Sequence, residues 1–147
     1  MMEKVLFLDI DGVLNSARTA YAFGGYPHLP SQVDRFDLVA VALIRKVCTE
    51  VGARICLSST WRLGRDWKEL RGHLGLPITH RTPRLDGARR GEEIKAWMDA
   101  YNRTIEKWAI VDDDADMLPE QLHHFVQTCP RNGFTFENYE RLKDLLS

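Results

Sequence analysis

Asp9 and Asp11 stand two positions apart where an apolar run ends, in "VLFLDIDGVLN" (5–15), and a second run ends in the acidic "AIVDDDAD" (109–116). A buried strand that ends in carboxylates gathers like charge where water screens it poorly. Two such clusters at one sheet edge would repel each other unless a cation bridged them. Side chains at i and i+2 of a strand share a side, so an extended backbone through Asp11 would put Asp9 and Asp11 together with Ile10 opposite. The Asp11 carbonyl could also turn toward the crevice where Gly12 begins a turn. Hard oxygen donors of this kind suit Mg²⁺. The plainer alternative is that one aspartate caps the turn and the other is solvated.

A Mg²⁺ held by few protein groups keeps positions open for phosphate oxygens. Hydroxyls and cations that could meet such a phosphate are present. Ser58 and Ser59 end the run "RICLSS" (54–59), and "RTPRLDGARRGEEIK" (81–95) carries Arg81, Arg84, Arg89, Arg90 and Lys95. Together they suit phosphoryl transfer. Four arginines within residues 81–90 against only Asp86 exceed what one phosphate needs. That excess fits a nucleotide or an oligonucleotide end, and its alternative is a solvated basic loop.

The elements that must position these residues alternate. Val5 to Leu8, 54–59, 107–114 and, more weakly, 124–128 read as short strands covered on both faces. Between them, helical period marks 36–52, 66–74 and 92–101, with a last helix over 136–146 after the Asn132-Gly133 turn. Strand alternating with helix predicts an α/β fold: a doubly wound, Rossmann-like, mostly parallel sheet of about five strands. Ligands of such sheets lie outside the carboxyl ends of the strands, so "DIDG", "SSTWR" and "DDDAD" should face one crevice. Residues 15–35, with Gly24-Gly25, Pro27 and Pro30, show no sustained period and read as a loop or flap with little or no cap domain. Tyr21, Phe23 and Tyr26 could wall a substrate pocket there or simply hold the loop down.

A chain of 147 residues predicts one domain over 1–147. Twenty Lys and Arg against twenty-one Asp and Glu give a net charge of −1, which argues against an extended polyanion- or lipid-binding face. Cys48, Cys56 and Cys129 lack CxxC spacing and read as reduced core thiols. No basic leader precedes a long apolar run in "MMEKVLFLDI", so a cytoplasmic protein with no membrane partner is expected.

Taken in order, "FLDIDGVLN", "ICLSSTWR", "RRGEEIK" and "AIVDDDADM" resemble the motifs of the haloacid dehalogenase (HAD) superfamily phosphatases across residues 5–117. More narrowly, "LDIDGVLN", "LSSTWR", "RGEEI" and "VDDDADM" are similar to small HAD domains found alone or fused within RNA-repair proteins. The resemblance implies an Asp9 nucleophile that forms an aspartyl-phosphate, and Asp11 as acid and then base. It also implies Mg²⁺ between Asp9, the Asp11 carbonyl and the phosphate, with Asp113 completing the shell. Asp112 is an alternative ligand and Asp116 an orienting group. Ser58, with Ser59 beside it, would bind phosphoryl oxygens, and either Arg90 or Lys95 would neutralise their charge. Because family members that cleave other bonds lack the second aspartate, Asp11 favours phosphate-ester hydrolysis.

Two rivals carry different functions. A receiver-like signalling module also clusters aspartates around Mg²⁺, but its acidic pair is adjacent and a lysine ends its fifth strand. A non-catalytic module that binds phosphate or nucleic-acid ends would keep the metal site without turnover.

Overall fold

The central strand carries the unbroken apolar run Val5 to Leu8, and its burial explains the architecture. In the computed structural model, which describes residues 2–64 and 66–147, Met1 of the N-terminal stretch and Arg65 lie outside the described residues. Strands β1 (Met2–Leu8), β2 (Ala53–Leu57), β3 (Ile78–Arg81), β4 (Thr104–Asp112) and β5 (Phe125–Gln127) form one sheet in the order β3-β2-β1-β4-β5. Every pairing is parallel. Leu6, Phe7 and Leu8 are fully buried because both faces of β1 are covered.

Alternate residues serve the two faces. Leu6 and Leu8 join Ile44, Leu57, Val111 and Leu142 in the larger core, under α2 (Leu38–Val51) and α5 (Phe136–Leu146). Val5 and Phe7 join Cys56, Ile94 and Ile110 on the other face, under α4 (Arg90–Ala100). Phe7 meets the edges of both Trp97 and Trp108 there, at 5.4 and 6.2 Å between ring centroids. A short α3 (Lys68–Leu74) adds Leu70 and Leu74 to the larger core. The α2 boundaries follow local chemistry: the Asp37 side chain accepts from the Val39 and Ala40 N–H groups, and Gly52 closes the helix at φ +75°.

Two expectations are corrected, and one strand that the sequence left unplaced is located. The segment 15–35 contains a helix, α1 (Ala17–Phe23), where a loop was expected; Ser16 and Thr19 cap it reciprocally and Gly24 ends it. Two turns with only Thr19 buried are too short to leave a periodic signature. The remaining strand of the sheet is β3, "ITHR", an edge strand in which only Ile78 is buried and three of the four residues are polar, so no apolar run announces it. Cys129 is exposed after β5, whereas Cys48 and Cys56 are buried as expected of core thiols.

Candidate active site

Strands β2, β1 and β4 are neighbours, so their carboxyl ends deliver Ser58, Asp9 and Asp112 to one edge. Asp9 follows β1 directly, and its N–H donates to the Val111 carbonyl at 3.0 Å, which ties the two acidic segments together. The extended backbone does not persist to Asp11. The N–H groups of Val13 and Leu14 both donate to the Ile10 carbonyl, at 3.1 and 2.8 Å, so the chain coils at once. The two aspartates therefore part: Asp9 is 7% exposed, while Asp11 lies at the surface with Oδ1 accepting from Asn15 Nδ2 at 2.9 Å and Trp61 Nε1 at 3.1 Å.

Gly12 makes the close approach of the second cluster possible. Its φ is +81°, and a Cβ there would lie 2.2 Å from Asp113 Oδ2. Only glycine fits both demands. Thr128 Oγ1 donates to the Gly12 carbonyl at 2.7 Å and fixes the turn from the β5 side.

Asp9, Asp112 and Asp113 each offer a carboxylate oxygen, and these oxygens lie within 4.8 Å of one another. Asp11's carboxylate is not part of that group. Burial raises the Asp9 carboxyl well above the ordinary carboxylate range, and the neighbouring Asp112 charge adds to it. Burial likewise pushes Asp112 up to about 7. Two carboxylates so close cannot both ionise without a counter-charge.

Arg90, the first residue of α4, supplies part of that charge. Its Nη1 lies 3.7 Å from Asp9 Oδ1 and 3.7 Å from Asp112 Oδ2, and it donates to the Ser58 carbonyl. Asp116 holds the start of this helix: Oδ2 accepts from the Arg90 N–H at 3.1 Å, and its carbonyl accepts from the Gly91 N–H at 3.1 Å. Gly91 is needed for proximity, since a Cβ there would stand 2.7 Å from the Leu118 nitrogen. Lys95 is not brought to the site; it pairs with Asp99 at 2.8 Å on an exposed helix face.

The two serines also differ. Ser59 Oγ accepts from the Trp61 N–H at 3.2 Å and so caps the turn after β2. Ser58 Oγ is buried with no hydrogen-bond partner among the described residues. A buried hydroxyl left so has its donor and acceptor capacity free for a ligand.

The basic stretch disperses. Arg81 donates to the Arg62 carbonyl at 3.0 Å, Arg84 faces Asp86 at 3.7 Å, and Arg89 pairs with Glu92 at 3.0 Å. Arg90 alone of the four reaches the carboxylates. An opening of about 390 Å³ beside it is lined by Thr60, Leu63, Arg84, Leu85 and Gly87, with Arg90 and Asp116 at its edge. Tyr21, Phe23 and Tyr26 do not line it.

Sequence reasoning passed over Asn15, and it missed the buried pair of Arg62 and Glu93, 3.0 Å apart. Glu93 Oε2 also accepts from the Leu85 N–H at 2.9 Å, which fastens the 82–88 loop to α4. The signal was available in the motifs "DGVLN", "TWR" and "GEE", whose Asn15, Arg62 and Glu93 lie within four residues of Asp11, Ser58 and Arg90.

An acidic crevice fed by side-by-side strands of an all-parallel five-stranded sheet defines an α/β domain of the HAD class. Comparison with known families narrows the class. Residues 5–139 match the family described as the HAD domain in Swiss Army Knife RNA repair proteins, and the chain belongs to that family. A search of curated proteins finds no match. No helix among the described residues is long and apolar enough to cross a membrane.

Proposed function

We propose that this domain is a Mg²⁺-dependent phosphomonoester hydrolase that works through an aspartyl-phosphate on Asp9, with a phosphorylated nucleotide or nucleic-acid end as substrate. The observation that carries the reading is the convergence of Asp9, Asp112 and Asp113 within 4.8 Å, with Arg90 Nη1 3.7 Å from two of them. The donor set is entirely carboxylate oxygen, and burial has raised two of its members, so the residues fit a hard divalent cation. Asp9, Asp112 and Asp113 would hold Mg²⁺, with the Asp11 carbonyl as a further donor. When bound it lowers the charge on the phosphoryl oxygens and holds Asp9 as the carboxylate.

The chain's own groups account for the remaining steps. Ser58 Oγ donates to one phosphoryl oxygen, and the Arg90 guanidinium turns from the carboxylates to others. An Asp9 oxygen attacks phosphorus while the bond to the leaving oxygen breaks, and Asp11 gives that oxygen a proton. A water then gives its proton to Asp11 and its oxygen to phosphorus. Asp9 is released with inorganic phosphate.

The substrate class rests on the family's description, which names RNA repair proteins. The opening beside Arg90 gives a leaving group room, with Thr60 and Arg84 as polar contacts. Purified protein with Mg²⁺ should release phosphate from a generic aryl phosphate, and Asp9→Asn should abolish the release. Comparing 3′- and 5′-phosphorylated oligonucleotides, mononucleotides and sugar phosphates then ranks the substrates. Equal inertness of wild type and Asp9→Asn on all of them would refute the proposal.

A further inference from the structure

We propose that the Trp61 indole and the Asn15 amide are positioning residues for Asp11, holding its Oδ1 so that Oδ2 alone carries the proton to and from the reacting oxygens. The inference rests on the phosphatase reading above and adds to it a division of labour between the two oxygens of one carboxyl group.

Asp11 lies exposed on a turn, where an aspartate is ordinarily free to rotate into water. Here two N–H groups converge on the same oxygen. Asn15 Nδ2 donates to Oδ1 at 2.9 Å and Trp61 Nε1 donates to it at 3.1 Å. Neither donor can follow a moving carboxylate. Asn15 is fully buried, and its Oδ1 accepts from the Gly12 N–H at 3.1 Å, an assignment that leaves Nδ2 as the edge facing Asp11. Trp61 is 1% exposed, lies 5.7 Å from the Phe36 ring, and has its backbone N–H bound by Ser59 Oγ.

A structural reading is that a buried indole and a buried amide simply need acceptors. That need does not explain why both should choose one oxygen of a surface carboxylate that water would satisfy. The consequence falls on Asp11. A carboxyl oxygen has two lone pairs, and two donors occupy both, so in the acid form the proton resides on Oδ2. Oδ2 has no hydrogen-bond partner among the described residues. In the first half-reaction the Oδ2–H bond breaks as the leaving oxygen takes the proton together with the electron pair of its bond to phosphorus. In the second, Oδ2 takes a proton from the water whose oxygen bonds to phosphorus as the Asp9–phosphorus bond breaks. A fixed Oδ1 keeps Oδ2 in one place for both.

Leaving-group dependence separates this role from packing. Aryl phosphates with acidic phenols leave without a proton, whereas those with basic phenols require one. Single-turnover phenol release should be measured with Mg²⁺ for a series of such esters, in wild type, Trp61→Phe and Asn15→Leu. Loss of either donor should slow the most basic phenol by about tenfold or more and the most acidic by less than about threefold. Asn15→Leu, close to asparagine in size, takes away the donor without placing a second carboxyl beside Asp11, and serves should Trp61→Phe fail to fold. In metal-free protein, nitrogen-15 spectra give a second readout: of the four tryptophan indole signals, the one missing in Trp61→Phe should move in Asp11→Ala. A uniform slowing across the series, no slowing, or an unmoved indole signal would overturn the assignment while leaving the phosphatase reading intact. A wild type that releases no phenol from any ester would remove that reading and this one with it.

Discussion

Replacing Asp112 with asparagine should stabilise the metal-free protein near pH 8 and do so much less near pH 5. Asp112 is 2% exposed at the end of β4, and burial foremost moves its carboxyl from 3.8 to about 7. Between those two values the folded chain keeps a proton that the unfolded chain has released. The unfolded state therefore binds fewer protons, and stability falls as pH rises until the folded group has itself ionised. A displacement of that size amounts to about 4 kcal/mol in full, of which about 3 kcal/mol is lost between pH 5 and pH 8. An asparagine keeps the oxygen that accepts from the Asp114 N–H at 2.9 Å but never carries the charge.

Urea unfolding in EDTA at pH 5, 6, 7 and 8 measures the effect. The stability difference between Asp112→Asn and wild type should grow by about 3 kcal/mol over that range. Adding Mg²⁺ at pH 8 should restore much of the wild-type stability and little of the variant's. A difference that stays constant with pH, or that shrinks as pH rises, would refute the claim that this carboxyl is buried against its charge.

Gly12→Ala should lose Mg²⁺ binding by calorimetry and destabilise the fold by at least about 1 kcal/mol, because the new methyl meets Asp113 Oδ2 at a positive φ. Arg90→Ala should lower kcat on aryl phosphates by about 100-fold or more, whereas Lys95→Ala, which breaks only an exposed pair with Asp99, should leave both kcat and the urea midpoint essentially unchanged. Glu93→Ala should cost about 3 to 5 kcal/mol in chemical unfolding, since it strands the buried Arg62 guanidinium.

What could be read in the sequence was whatever is written in apolar runs and their abrupt ends. The runs before Asp9, Ser58 and Asp112 gave adjacent strands, and the order of their polar tails gave a shared edge. What could not be read depends on how the chain leaves each strand. Spacing alone put Asp9 and Asp11 on one side, but the coil that begins at Ile10 separates them. Nor does helical periodicity say where a helix starts: α4 begins at Arg90, held by Asp116 from 26 residues away, and that start sends Arg90 inward while Lys95 rides outside. The four arginines looked like one patch because sequence proximity hides the partners Arg62, Asp86 and Glu92 that disperse them.

The charge balance of the crevice argues for what it is built to receive. Asp9, Asp112 and Asp113 gather three carboxylates, and one guanidinium stands 3.7 Å from two of them. At 3.7 Å from both Asp9 and Asp112, Arg90 Nη1 lies beyond good hydrogen-bond range to either, so its firm contact is the Ser58 carbonyl. A guanidinium so placed can attract a phosphoryl group without first breaking a strong ion pair. Bringing in a phosphate dianion alone would deepen the negative excess, and bringing in a divalent cation alone would crowd Arg90 with like charge. Arriving together they leave each charge with an opposite neighbour, so Mg²⁺ and phosphate should bind cooperatively, each tightening the other by the same factor.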